Sequence, residues 1–106
     1  MNSVETSVQV VRPMGALTSA NADAFKEEML TAITSESASE VAIDMAAVDS
    51  VDNSGLVALL AGCDTAKRHR KRLSLCDVAP RVRIVFELAQ VDRAVLMIDS
   101  QDLLAA

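Results

Sequence analysis

Hydrophobic and polar positions follow two periods along this chain, and each change of period marks an element. Residues 7–12, Ser-Val-Gln-Val-Val-Arg, nearly alternate and predict a strand with Val8 and Val10 on one face. Pro13 and Gly15 then break it. Residues 4–7 are read as a short additional edge strand. Ala22, Phe25, Met29 and Ile33 recur at helical spacing, predicting an amphipathic helix over 21–33. Thr18 and Ser19 are its N-cap residues, and Asp23 lies in its favourable first turn. The polar, Ser-rich stretch 34–40 reads as a loop. Residues 41–45, apolar except for Asp44, form a buried strand. Residues 46–53 carry the chain over its end. A second helix, about 54 to 69, places Leu56, Leu59, Leu60 and Cys63 on one stripe. Residues 73–76 form another apolar strand. Pro80 opens a third helix, with a stripe of Val82, Val85, Phe86 and Ala89. A last strand covers 95–98, and Leu103 and Leu104 suit a final helical turn.

The resulting order, β(β)αβαβαβ(α), is that of an α/β domain, with parallel strands joined by right-handed crossovers. No internal repeat or low-complexity segment interrupts it, and a single domain is expected over 1–106.

Composition narrows the chemistry. Half of the 106 residues are hydrophobic (51%), yet only Phe25 and Phe86 are aromatic. The core must come from Val, Leu, Ile, Met and Ala, and ring platforms for stacking bases are nearly absent. The net charge of −5 gives no general attraction to nucleic acid or anionic membrane. No apolar stretch approaches the roughly 20 residues that span a bilayer, and the first residues lack a secretory pattern. Cys63 and Cys76 lack metal-ligand spacing and make no disulfide framework. A cytoplasmic protein with reduced thiols is expected.

Candidate chemistry concentrates at Asp52-Asn53-Ser54-Gly55, between a strand and the helix it leads into. The carboxyl ends of strands are where open α/β folds place their sites. An ordinary N-cap accounts for one polar residue there. It does not account for the polar cluster from Asp49 to Ser54.

Residues 41–56, Val-Ala-Ile-Asp-Met-Ala-Ala-Val-Asp-Ser-Val-Asp-Asn-Ser-Gly-Leu, resemble the central signature of the STAS domain. More narrowly, they resemble the anti-sigma-factor antagonists of bacterial partner-switching systems. That family carries a strand ending in Asp, then Asp-Ser-Ser/Thr-Gly-Leu opening a helix. Asp44 matches the strand Asp, Asp52 the signature Asp, and Ser54 the phosphorylated position. Gly15-Ala16-Leu17-Thr18 stands where the family has Gly-Glu-Leu-Asp. Thr18 departs from the usual Asp, and Asn53 from the usual small hydroxyl residue.

The resemblance implies a STAS-like mixed β-sheet of four to five strands with about four helices. It implies phosphorylation at Ser54 and a partner surface of Thr18, Ser19, Asp52, Asn53, Ser54, Gly55 and Leu56. The partners implied are an anti-sigma factor that is also a Ser protein kinase of the histidine-kinase-like ATPase type, and a Ser phosphatase. Neither cofactor nor metal is expected. A phosphate on Ser54 is expected to meet free N–H groups and the positive end of the helix dipole. The alternative is a STAS scaffold subunit of a transport or sensory complex, never modified at Ser54.

Catalysis is not expected. The one histidine, His69, lies roughly four turns beyond Ser54, more than about 20 Å along the helix, so no Ser–His pair forms. No Gly-rich phosphate loop is present. The basic run Lys67-Arg68-His69-Arg70-Lys71-Arg72 sits at a helix C-terminus, where cations suit the dipole, and without aromatics it argues against direct nucleic-acid binding. Met29 is expected in the core, and Met14 exposed near the Ser54 end.

Overall fold

A computed structural model describes residues 7–99. Four strands, β1 (Val8–Val11), β3 (Glu40–Asp44), β5 (Arg72–Cys76) and β6 (Leu96–Ile98), form one sheet in the order β1-β3-β5-β6. Two more, β2 (Gly15–Leu17) and β4 (Val48–Val51), form a separate two-stranded sheet. Helices α1 (Ala22–Thr34), α2 (Asn53–Arg68) and α3 (Pro80–Leu88) connect them, with a 3-10 turn at Val91–Arg93.

The α/β class stands, with four corrections. Every strand pairing among the described residues is parallel, with no antiparallel pair to make the expected mixed sheet there. Six strands are present among the described residues where four to five were expected. β2 and β4 lie in stretches read as a break and a connection, and each is defined by its partner rather than by its own periodicity. Among the described residues three α-helices and a 3-10 turn stand where about four helices were expected. The turn at Leu103 and Leu104, and residues 4–6 of the extra edge strand, lie outside the described residues; Ser7 precedes β1 without joining it.

Val11, Val41, Ile43, Leu73 and Leu75 face α1 and α2 and are buried. Val8 and Val10 do share a face, but it is the opposite, exposed one. The α2 stripe is corrected too. Its buried side is Gly55, Ala58, Leu59, Gly62, Cys63 and Ala66, while Leu60 faces solvent. Small residues are needed because α1 comes close: a Cβ on Gly62 would run into the Sδ of Met29, which is wholly buried as expected. In α3, Val82 and Phe86 are buried and Ala89 is exposed.

Candidate functional site

The site is built where the two-stranded sheet hands the chain to α2. Asp44 ends β3, and its Oδ1 accepts from the Ala46 N–H at 3.0 Å while Oδ2 faces Arg12 Nε at 3.4 Å. Asp44 thus turns the chain from β3 toward β4. Gly15 holds φ +73°, a left-handed conformation that suits glycine, and its N–H reaches Ala47 O at 2.8 Å. After β4, the Asp52 N–H bonds Leu17 O at 3.0 Å, extending the β2–β4 pairing to the residue that caps α2.

Asp52 is the N-cap. Its Oδ1 accepts from the N–H of Ser54 at 2.8 Å and of Gly55 at 3.2 Å, and its carbonyl accepts from Leu56 N–H at 3.0 Å. Two of the amides expected to be free for an anion, those of Ser54 and Gly55, are therefore occupied by the Asp52 side chain, and the expectation is corrected for them. Gly55 is buried: a Cβ there would lie 2.9 Å from Leu17 O and 2.9 Å from Val51 Cγ1. Leu56 is half-buried against the core. Asn53 is exposed at the first helical position, and Ser54 is half-buried. Among the described residues the Ser54 hydroxyl has no hydrogen-bond partner.

Ser19, Ala22, Asp23, Lys26, Asn53, Ser54, Val57 and Ala58 line a groove of about 380 Å³ between the first turns of α1 and α2. The structure thus brings Ser19, Asn53 and Ser54 together. Thr18 is placed differently, and neither it nor Ser19 is the N-cap expected for α1, a position taken by Asn21. The Thr18 N–H donates to Asn21 Oδ1 at 2.8 Å, and its Oγ1 accepts from Ala20 N–H at 3.2 Å, so its polar groups build the turn into α1. Asp23 and Lys26 were not expected as site residues. Their i, i+3 spacing on the polar side of α1 was readable, but not that α2 would meet it.

The other candidates are structural or solvent-facing. Met14 is exposed, 71% of its surface open, in the loop after β1. His69 is exposed, with Nδ1 3.0 Å from Thr65 O. Cys63 and Cys76 are buried free thiols. Burial raises both pKa values, that of Cys63 to about 11. Among the described residues, no cluster of His, Cys, Asp and Glu is placed to hold a metal. No described helix is long and apolar enough to cross a membrane.

A family model for the STAS domain matches residues 2–102. The chain belongs to the STAS domain family. This STAS chain resembles SpoIIAA, an anti-sigma factor antagonist, in its unphosphorylated form: TM-score 0.70, 19% identity, over 98% of this chain and 92% of that one. It resembles the Bacillus cell fate determinant SpoIIAA in its phosphorylated form equally well, with TM-score 0.69 and 20% identity over 92% and 86% of the two chains. A sulfate transporter family protein from Wolinella succinogenes gives TM-score 0.76 and 19% identity over 86% and 75%. At these identities the likeness is one of fold. No curated protein sequence matches the chain significantly.

Proposed function

We propose that this STAS domain is an anti-sigma factor antagonist switched by phosphorylation of Ser54. The observation that carries the reading is the Ser54 hydroxyl itself: unbonded, at the head of α2, on the rim of an open groove. The unphosphorylated form binds, in the cytoplasm, an anti-sigma factor that is also a Ser kinase of the histidine-kinase-like ATPase type, releasing a sigma factor. Transfer of the γ-phosphoryl group of ATP to Ser54 Oγ forms one O–P bond, breaks the β–γ bond, and leaves ADP and the hydroxyl proton. A Ser phosphatase reverses it by hydrolysis. The domain itself catalyses neither step and uses no metal or cofactor.

The docking face supported by the geometry begins at Ser19, Asn53 and Ser54 and continues along α2 over Val57 and Leu60, both substantially exposed. Thr18, Asp52, Gly55 and Leu56 hold that face in shape. A phosphate adds about −1.5 to −2 charge at its head. Burying such a charge without a partner costs several kcal/mol, and about 3 kcal/mol weakens binding roughly 100-fold.

The second reading is an unmodified scaffold subunit, favoured by the equal likeness to a sulfate transporter family protein. Intact mass of protein from its native cell separates the two, since only the switch yields a form heavier by one phosphate. Pull-downs with wild type, Ser54→Ala and Ser54→Asp test the switch directly. The expected result is that Ser54→Ala retains the partner and Ser54→Asp loses it. Equal retention by both variants sinks the proposal.

A further inference from the structure

We infer that a phosphate on Ser54 is held within the chain by Lys26, across the α1–α2 groove, and not by the amides of its own helix. The inference rests on the phosphorylation reading above and names where the phosphate goes. Three observations carry it. First, the Ser54, Gly55 and Leu56 amides are taken by Asp52, leaving only that of Asn53 in the first turn, and the Asp52 carboxylate bonded to two of them repels a second anion. Second, the Ser54 hydroxyl opens onto a groove of about 380 Å³, room enough for three added oxygens. Third, the only cation lining that groove is Lys26, and it makes no ion pair among the described residues.

The surrounding charges decide the direction. Asp23 and Lys26 line the groove from α1, Glu27 and Glu28 are exposed on the same helix, and Asp52 precedes Ser54 on its own element. Of the other elements packed on α2, β4 carries exposed Asp49, and β5 carries Arg72 at the far end, paired with Glu40. Before modification Asp23 is the acid that shares the groove with Lys26, one turn away on α1. A group approaching −2 attracts the ammonium more strongly than one carboxylate does. Phosphorylation then changes two charges on the docking face: it adds a dianion and removes a free cation.

Lys26 is exposed, so water screens the pair and its contribution to stability is small. The sensitive readout is the titration of the phosphate. A nearby cation favours the dianion and lowers the second pKa, which lies near 6 in a free phosphoserine. The test uses the full chain with phosphoserine encoded at position 54, titrated by phosphorus NMR between about pH 4.5 and 8 at low salt. Wild type is expected to titrate about half a pH unit below Lys26→Met, with Lys26→Arg close to wild type and the difference lost in 1 M salt. Equal midpoints in wild type and Lys26→Met overturn the inference. Because no binding partner is in the tube, that result leaves the Ser54 switch standing, and failure of the switch leaves this result readable. Circular dichroism of both Lys26 variants verifies that the fold is unchanged.

Discussion

Cys63 lies on the core side of α2, beneath the face that carries Val57 and Leu60, and desolvation pushes its thiol up from the ordinary 9.0 to about 11. Lys67 and a backbone hydrogen bond offset only part of that rise. Burial favours the neutral thiol, so the folded state holds a proton that the unfolded chain releases near pH 9. The stabilisation is complete below pH 9 and is lost as pH rises from about 9 to 11, by up to about 2–3 kcal/mol. The chain has no tyrosine to obscure this window. Denaturant midpoints from pH 7 to 11 are expected to fall steeply above pH 9 in wild type and less steeply in Cys63→Ala. Parallel curves count against the assignment. The place of Cys63 on the inner stripe of α2 was legible in the sequence because it follows the helical period, whereas the Asp52 cap was not, since the first amides of α2 were expected to be free. Nor was Lys26, because only the contact between two helices gives it a role.

At the scale of elements, α2 meets β2 through Gly55, and the fit leaves no space for a side chain. The atoms in the way are the Leu17 carbonyl oxygen and a Val51 methyl, and a main-chain atom cannot swing aside. Ala is the better helix former by about 1 kcal/mol, yet overpacking at a rigid contact costs about 1–3 kcal/mol. Gly55→Ala is therefore expected to destabilise the fold and tilt the first turn of α2. Urea unfolding reads the first effect, and amide chemical shifts of residues 52–57 read the second. A variant at least as stable as wild type, with unmoved shifts, refutes the packing argument. The same closeness explains which elements the sequence could disclose. Helix periods, Pro80 and the apolar runs of β3 and β5 were visible because each repeats a pattern over enough residues. Strands β2 and β4 were not visible because β2 opens on Gly15, read as a break, and β4 holds the polar pair Asp49-Ser50, and they exist because each offers the other a ladder. Leu60 was assigned inward by its helical spacing, but α1 packs so near that the contact selects Ala58 and Gly62.

Across the whole molecule, α2 separates two chemistries: Ser54 at its head and the basic run at its foot, about 20 Å apart. The run looks uniform in sequence, but the fold divides it. Arg68 pairs with Asp64 at 3.2 Å and Arg72 with Glu40 at 3.6 Å. The Lys71 ammonium donates to the carbonyls of Ser35, at 2.7 Å, and Ala38, tying down the loop between α1 and β3. Arg70 instead contributes backbone shape. Its φ of 56° is left-handed, its N–H reaches Lys67 O, and the Lys71 N–H reaches Ala66 O, which together close α2 in a Schellman motif. Glycine is favoured at that position, because a side chain is strained there. Two neighbouring removals of one positive charge should therefore act in opposite directions. Lys71→Met is expected to lose about 1–2 kcal/mol with its charged hydrogen bonds, and Arg70→Gly to gain up to about 1 kcal/mol. Guanidinium unfolding measures both under conditions that screen the general effect of charge. Shifts of the same sign would mean that net charge, not position in the fold, sets the role of this run, and would reopen a nucleic-acid role that the structural use of these cations now argues against.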